Sequence, residues 1–425
     1  MIFYPSASVG YKLTDLLSSD AIDFAKVRVS YGEVGIGANP YATSTVYGPG
    51  GVFSSWGDGL GGYLYGNPFT QSASRGNPDL KEERKKEYEF GLDLRLFDNA
   101  ITLNATYYQS ETRDGIIALP IPGSSGFTTT LQNAAVISNE GVEFDITGRI
   151  LRTQDFGISV NANFTQNRNI VEDLQGSAYS ILNGFTSTSS GIAEGFPYGV
   201  LRSGVYERDN GGNYVLNANG FPNAAAEKEV GVGDPNANFR AGFGLNIYYK
   251  NLSLTSVIET SQGNDVWNGT YGVLHYFGIH ENTAVKTVND TGGTIVNSFG
   301  TEIPAGATFR GYIEDFGGGP VAVDSEWWTT NGGGFGDVGE PFIMDGSWIK
   351  MREVSLSYNF TEAFVQDLGL TNLSLSVSGR NLFLWSAIDG FDPENNLTGA
   401  SRGRGLEYFS NPGTSSFLTT LRLQF

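Results

Sequence analysis

The chain has 425 residues, of which 13 % are aromatic and only 17 % are charged, and it contains 58 glycines. Its net charge of −19 argues against nucleic-acid binding, which needs a basic surface, and the absence of cysteine excludes disulfides and thiolate metal sites. Few charges combined with many Tyr and Phe residues favour strands, and no run reaches the 18 apolar residues of a membrane-spanning helix.

Apolar and polar residues alternate along about eleven segments, each close to ten residues long. In one of them Tyr88, Phe90 and Leu92 fall on one face, and Glu89 and Asp93 fall on the other. This period of two is typical of strands that cross a membrane. The segments are Phe3–Leu13, Phe24–Val34, Tyr88–Phe97, Ile101–Ser110, Val142–Ile150, Phe156–Phe164, Phe239–Tyr249, Leu252–Ile258, Trp348–Phe360, Leu373–Leu384 and Phe417–Phe425.

The connections between these segments alternate in length. Those after odd-numbered segments are short, whereas four after even-numbered segments are long: Gly35–Lys86, Asp114–Asn139, Ile170–Pro235 and Gly263–Asp345. Compact soluble domains rarely carry several loops of this length. The pattern therefore predicts an all-β fold, an antiparallel transmembrane β-barrel with short periplasmic turns and long extracellular loops.

The last segment ends the chain on an aromatic residue. Phe417, Leu421 and Phe425 share its apolar face, as in the closing strand of an outer-membrane barrel, although a soluble sandwich could end in the same way. Bacterial single-chain barrels have even strand numbers, and the start at Met1 shows no export signal. An odd number of strands without a signal predicts that the chain is part of a longer barrel protein.

Four passages resemble the SusC/RagA family of TonB-dependent outer-membrane transporters. Residues 77–93 begin Asn-Pro-Asp-Leu-Lys, although Glu82-Glu83 stands where the family has Trp-Glu. The other three are LPIPGSSGFTTTLQN at 119–133, followed by NEGVE at 139–143; DGSWIKMREVSLSY at 345–358; and GRNL at 379–382 with GFDPE at 390–394. Together they extend over most of residues 1–425, and the last passage is the most specific.

The resemblance implies that residues 1–425 are the carboxy-terminal half of a 22-stranded barrel, without the plug, the TonB box and the signal peptide. Such proteins import large nutrients, glycan oligosaccharides or peptides, under a SusD-like surface lipoprotein that acts as a lid. The TonB–ExbB–ExbD complex supplies energy through the plug, and the location is the outer membrane of a Bacteroidetes-type cell. Structural roles are implied for five residues of the family motifs, namely Asn381, Asp392, Pro393, Glu394 and Phe425.

The sequence contains no catalytic motif, so no enzyme activity is expected. Asp392 and Glu394 could suggest acid–base chemistry, but the resemblance makes them part of a structural turn. His275 and His280 match no common zinc spacing. Oxygen ligands around Asp234 would suit calcium only weakly, so no metal or cofactor is expected.

Aromatic residues in the long loops are candidates for substrate or lid contacts, because aromatic rings give large contact areas at low entropic cost. The alternative is packing within the loops or a position in the membrane-boundary girdle. The candidates are Trp56, Tyr63, Tyr65, Trp327 and Trp328.

Two other functions stay open from the residues alone. One is a siderophore or vitamin receptor with the same barrel, and the other is a secreted β-rich adhesin or binding domain. The substrate cannot be read from the sequence.

Overall fold

In a computed structural model, the described residues are 3–17, 19–50, 52–54, 57–60, 66, 69–185, 187–360, 362–367, 369–397, 399 and 403–425. The largest sheet has twelve strands, of which the short strand Ser74–Arg75 pairs parallel with Thr129 and Thr130. The other eleven follow one another in chain order, and each pairs antiparallel with its neighbours. They are β1 (Ser6–Lys12), β2 (Ile22–Ile36), β3 (Glu83–Leu96), β4 (Ile101–Pro120), β5 (Thr129–Arg152), β6 (Phe156–Asp173), β7 (Phe239–Tyr249), β8 (Leu252–Gln262), β9 (Trp348–Asn359), β10 (Asn372–Ser386) and β11 (Ser416–Gln424).

The prediction of eleven antiparallel strands in this order is confirmed, and their residues largely coincide with the alternating segments. The prediction of a long loop over Asp114–Asn139 is wrong. Strands β4 and β5 stay paired from Gly148↔Ile101 to Thr129↔Pro120, so the connection shrinks to residues 121–128. Ala135 at this end does not face lipid: it is fully buried in one cluster with Val171 near the end of β6 and with Leu174 and Ile192, which follow β6.

One face of the sheet is apolar across all its strands. The cross-strand register places Val9 opposite Val29, Val29 opposite Phe90, and Phe90 opposite Tyr107. Val29 and Phe90 remain 48 % and 50 % exposed, and Val377 on β10 remains 48 % exposed. Leaving so many apolar side chains in water would cost about 25 cal/mol for each Å². This face is suited to lipid.

The opposite face is polar. Ser30 lies opposite Glu89 and donates a hydrogen bond of 3.0 Å to its carboxylate. On the same face Arg28 pairs with Asp93, with 3.0 Å between Nε and Oδ2. Glu89 and Asp93 thus lie on the polar face, as the alternation predicts.

The short connections lie at one end of the sheet. Phe97, Asp98 and Asn99 between β3 and β4 all have positive φ, and Arg149 donates to the carbonyl oxygens of Asp98 and Asn99 at 2.8 and 2.7 Å. Asp and Asn tolerate this left-handed conformation better than most residues. The short connection predicted between Tyr88–Phe97 and Ile101–Ser110 is therefore also held by a side chain.

The long connections lie at the other end: residues 37–82, 174–238, 263–347 and 387–415. Their strands are Tyr47–Pro49, Val52–Ser54, Gly57–Leu60, Phe69–Gln71, Ser74–Arg75, Ser180–Gly184, Thr188–Ile192, Val200–Ser203, Glu229–Gly233, Asp265–Asn268, Lys286–Val288, Ile295–Val296, Glu302–Ile303, Thr308–Arg310, Tyr312–Asp315, Pro320–Val323, Ile343–Asp345 and Leu406–Glu407. Helices are short: Thr14–Leu17, Gly269–Tyr276, Glu281–Ala284, Ser325–Trp328 and Glu362–Asp367, with 3₁₀ turns at Gly123–Ser125 and Glu340–Phe342.

Most of the fully buried large side chains lie in these loops, because the membrane-facing strands bury little against one another. Trp267, Leu201 and Leu406 come from three different loops and form one buried cluster. These three loops, 174–238, 263–347 and 387–415, therefore pack into a common cap at one end of the sheet. None of the described helices is long and apolar enough to span a membrane.

Candidate functional site

A cavity of about 700 Å³ lies between the polar face of the sheet and the loops. Asn163, Thr165 and Arg240 line it from β6 and β7, and Glu259 lines it from β8. The loops contribute Asn236, Glu394 and Arg404 among other residues. The lining is polar and mixed in charge, which fits a path for hydrophilic molecules.

A β-bulge in β9 directs two cations of this wall toward the polar face. Ile258 and Val257 of β8 are adjacent, but they pair with Met351 and Glu353, so Arg352 is an extra residue in β9. Without the bulge, strict alternation would place either Arg352 or Glu353 on the apolar face. Because of the bulge, the side chains of Lys350, Arg352 and Glu353 all lie on the polar face.

These cations hold the 387–415 loop against the wall. Lys350 Nζ lies 2.7 Å from Asp392 Oδ2 and also contacts Glu394. Arg352 donates to the two oxygens of Glu394 at 2.5 and 2.8 Å and to Glu259 at 2.6 Å. The side chain of Lys350 is only 7 % exposed, so the two carboxylates compensate for the burial of its ammonium group.

The same residues also shape the turn that carries the carboxylates. Asp392 Oδ1 accepts the backbone N–H of Glu394 at 3.1 Å, while its Oδ2 accepts from Lys350. Pro393 stands between the two acids. The resemblance implies only a structural turn at Asp392, Pro393 and Glu394. In the structure the two acids also form an ion-pair network with β9.

The network changes the acidity of Glu394. Burial alone would raise the pKa of this carboxyl, but the hydrogen bonds from Arg352 and Lys350 outweigh it and lower the pKa to about 2. The group therefore stays ionised over the physiological range and is unsuited to general acid catalysis.

The roof of the cap is held by a buried carboxylate in the same loop. Glu407 is 1 % exposed and accepts from the Thr270 hydroxyl at 2.9 Å and from the Ser410 N–H at 3.0 Å. It also accepts the Thr270 N–H, at the start of the helix Gly269–Tyr276. A negative charge is favourable there because helix N-termini carry partial positive charge.

Trp327 and Trp328 are buried in the cap. Both belong to a cluster with Tyr206, Phe221 and Val338, which joins the 174–238 and 263–347 loops. Arg208 and Glu340 support this joint with an ion pair of 2.7 Å. In this conformation, packing within the cap accounts for the positions of both indole rings.

The other three aromatic candidates, Trp56, Tyr63 and Tyr65, lie outside the described residues.

The two histidines, His275 and His280, stack on each other, with ring centroids 4.1 Å apart, and His275 Nδ1 donates to the Tyr271 carbonyl at 2.9 Å. Burial lowers the pKa of His275 to about 4. Among the described residues no group of three or more potential metal ligands occurs.

Asn381 and Phe425 occupy structural positions. Asn381 has φ +50° where β10 passes the bulge, and its Nδ2 donates to the Thr414 carbonyl at 3.3 Å. Phe425 is 87 % exposed, and the Gln424 carbonyl before it accepts the Thr371 N–H at 2.7 Å.

An amide clamp connects the first two sequence motifs. The Asn133 side chain accepts the Lys81 N–H at 2.8 Å and donates to the carbonyls of Lys81 and Asp114 at 2.9 and 2.8 Å. Asn77 donates to the Leu131 carbonyl at 2.9 Å. The residues that carry the resemblance thus contact one another in pairs, the first with the second and the third with the fourth.

Sequence reasoning missed Lys350, Arg352 and Glu259 as parts of a site. Arg352 was visible only as one position of a motif, and its polar orientation depends on the bulge. Arg240 and Arg404 gave no signal, because the residues that surround them come from distant segments.

An apolar outer face, a polar inner face and a cap of packed loops define a transmembrane β-barrel wall. Residues 2–225 match the family model "TonB dependent receptor-like, beta-barrel", so the chain belongs to this family of outer-membrane proteins, and it is of the SusC/RagA type.

The alignments with known relatives cover the whole chain or nearly all of it. TonB-dependent receptor P3 of Formosa agariphila is 28 % identical over 455 residues, covering 100 % of this chain and 42 % of that protein. TonB-dependent receptor SusC of Bacteroides thetaiotaomicron is 23 % identical, covering 99 % and 40 %. The solved structure of the RagAB peptide transporter superposes with a TM-score of 0.68 at 18 % identity, covering 99 % of this chain and 43 % of that one. The chain thus spans about two fifths of the length of its relatives.

Proposed function

We propose that this chain forms half of the wall, and part of the extracellular cap, of a TonB-dependent importer of oligosaccharides. The observation that carries the proposal is the two-sided sheet, apolar outside and polar inside, with a cavity of about 700 Å³ beneath packed loops. A polar conduit through an apolar wall is what the uptake of hydrophilic nutrients requires. The proposed role is transport, and no residue is assigned a catalytic step.

The sheet edges support the assignment to half of a barrel. Among the described residues, β1 pairs only with β2 and β11 pairs only with β10. Unpaired backbone groups in a bilayer cost several kcal/mol each, so spanning sheets close on themselves. We infer that strands from the remainder of the protein pair with both edges, and that its plug receives energy from TonB–ExbB–ExbD.

The cap offers a surface for a SusD-like lipoprotein lid. Exposed apolar side chains occur within residues 277–299 of the 263–347 loop: Phe277, Ile279, Val285, Val288 and Phe299. Exposed apolar side chains at this density are typical of protein-interaction surfaces. The proposed interface predicts that the full-length protein copurifies with such a lipoprotein, and that Phe277→Ser with Ile279→Ser weakens the copurification.

The function is tested by uptake into cells that carry the full-length protein. Fluorescent oligosaccharides and fluorescent peptides of equal length are supplied to cells with and without TonB. The proposal predicts uptake of oligosaccharides that disappears without TonB. Uptake that persists without TonB would contradict the mechanism, and selective uptake of peptides would contradict the substrate class.

A further inference from the structure

Within the part of the chain that the structure describes, two arginines facing the cavity have no acidic partner. The chain carries 45 acidic and 26 basic residues, so arginines without a nearby carboxylate are unexpected. Arg240 and Arg404 nevertheless both line the cavity of about 700 Å³. In the described part of the chain no carboxylate oxygen lies within 4 Å of either guanidinium, as the ion pairs found there involve other residues.

Arg240 projects from the wall. It lies on the polar face of β7, and its cross-strand neighbours are Thr165 on β6 and Ser261 on β8, both with neutral hydroxyls. The side chain is exposed to the cavity. Its charge is therefore available to a ligand from the lumen.

Arg404 approaches from the opposite side, on the 387–415 loop. One of its terminal nitrogens donates to Asn236 Oδ1 at 2.9 Å, and its guanidinium carbon lies 5.8 Å from the centre of the Tyr198 ring. Its Nε is buried and lacks a hydrogen-bond partner among the described residues. A guanidinium has five N–H donors, so the described residues occupy only a small part of the donor capacity of Arg404.

The carboxylates of the cavity do not neutralise these two arginines. Glu259 and Glu394 are both held by Arg352, and Glu394 is also held by Lys350. The remaining lining is rich in side chains such as Asn163 and Thr165, which donate or accept hydrogen bonds without charge. The cavity therefore combines two unpaired cations with groups that match sugar hydroxyls.

We propose that Arg240 and Arg404 bind the anionic substituents, carboxylate or sulfate, of an acidic oligosaccharide. This inference rests on the proposed function, since it names the substrate class of the same conduit. Guanidinium groups bind planar carboxylates and sulfate oxygens with paired hydrogen bonds. In a strongly acidic protein, such a site also offsets the repulsion that an anionic substrate meets on entering.

The test measures binding to the purified full-length protein in detergent by calorimetry. One probe pair is hexagalacturonate and its fully methyl-esterified form, and the other is a sulfated galactan hexasaccharide and its desulfated form. We expect at least one charged member to bind about tenfold more tightly than its neutral partner. Arg240→Gln and Arg404→Gln should each remove most of that difference, whereas Arg404→Lys should retain part of it.

The matched control is Arg422→Gln, because Arg422 lies on the polar face of β11 and does not line the cavity. It should leave the preference for the charged probe unchanged. Equal binding of charged and neutral probes, binding of none of the charged probes, or tighter binding of hexaglutamate would each overturn the proposal. Because binding in detergent needs no TonB, loss of TonB-dependence in the uptake experiment would refute the proposed function without altering this result.

Discussion

The ammonium group of Lys350 donates to the carboxylate of Asp392 across 2.7 Å and joins a barrel strand to a loop 42 residues further along the chain. Both side chains are largely buried, at 7 % and 13 % exposure. The contact connects DGSWIKMREVSLSY to GFDPE, so two of the sequence motifs form one structural unit. It fixes where the 387–415 loop lies inside the wall.

Replacing Lys350 should release this loop. Lys350→Met leaves Asp392 without its cation, and breaking a buried pair typically costs about 3–5 kcal/mol. We expect faster deuterium uptake by residues 387–397 in the full-length protein. Arg380→Met is the matched control, because the pair of Arg380 with Glu353 is more exposed and should contribute about 0–1 kcal/mol. Equal uptake by the two variants would show that Lys350 does not hold the loop.

The bulge depends on the left-handed backbone of Asn381. A β-branched residue at φ +50° is strained, whereas glycine adopts this conformation freely. Asn381→Val should destabilise the protein by about 1–3 kcal/mol, and Asn381→Gly should cost less. Thermal unfolding of the full-length protein in detergent measures both. If valine were tolerated as well as glycine, the bulge would not require this conformation.

The Asn133 clamp should stabilise the 37–82 loop. Asn133→Ala removes three hydrogen bonds, each contributing about 0.5–1.5 kcal/mol, and exposes the Lys81 N–H to exchange. Exchange at that amide is the measurement. Asn104→Ala on the polar face of β4 serves as the control and should leave exchange at Lys81 unchanged. Protection of Lys81 that survives Asn133→Ala would rule the clamp out.

Acidification should loosen the cap through His275. In the folded cap the pKa of His275 is about 4, below the ordinary value of 6.5. At a pH between these two values the unfolded cap therefore binds a proton at His275, whereas the folded cap does not. The stability contributed by neutral His275 is complete above pH 6.5 and is lost as the pH falls toward 4. After correction for the slower intrinsic exchange at low pH, the protection of residues 269–285 against deuterium exchange should fall from pH 7 to pH 5. In His275→Gln this pH dependence should shrink, and an unchanged pH profile would contradict the assignment.

The strands were predictable because lipid and water impose the period of two along each strand. Val29 and Phe90 carry that pattern whatever the rest of the chain does. The extension of β4 and β5 to Pro120 and Thr129 was not predictable in the same way, because Ala135 packs there on Leu174 and Ile192 of the 174–238 loop.

The site was predictable only where a motif covered it. Asp392 and Glu394 belong to a recognisable passage. Their partners Lys350 and Arg352 face them only because β9 has a bulge, and no local sequence pattern specifies that bulge. Trp327 and Trp328 show the converse problem. Tryptophan side chains in a long loop are equally typical of a binding surface and of the packed core of the loop. Only the tertiary contacts distinguish these two roles.

The central claim is that the two faces of this sheet meet lipid and water. These 425 residues contain no cysteine, so single cysteines placed along β10 are unique within them, and any cysteine in the remainder of the full-length protein, assayed in outer membranes, is replaced by serine. A membrane-impermeant maleimide should label cysteines at Ser376 and Ser378 after detergent opening of the lumen or loss of the plug, and a lipid-phase spin probe should contact those at Leu375 and Val377. Labelling that alternates with period two confirms the claim. Equal access of the aqueous reagent to all four positions would contradict it.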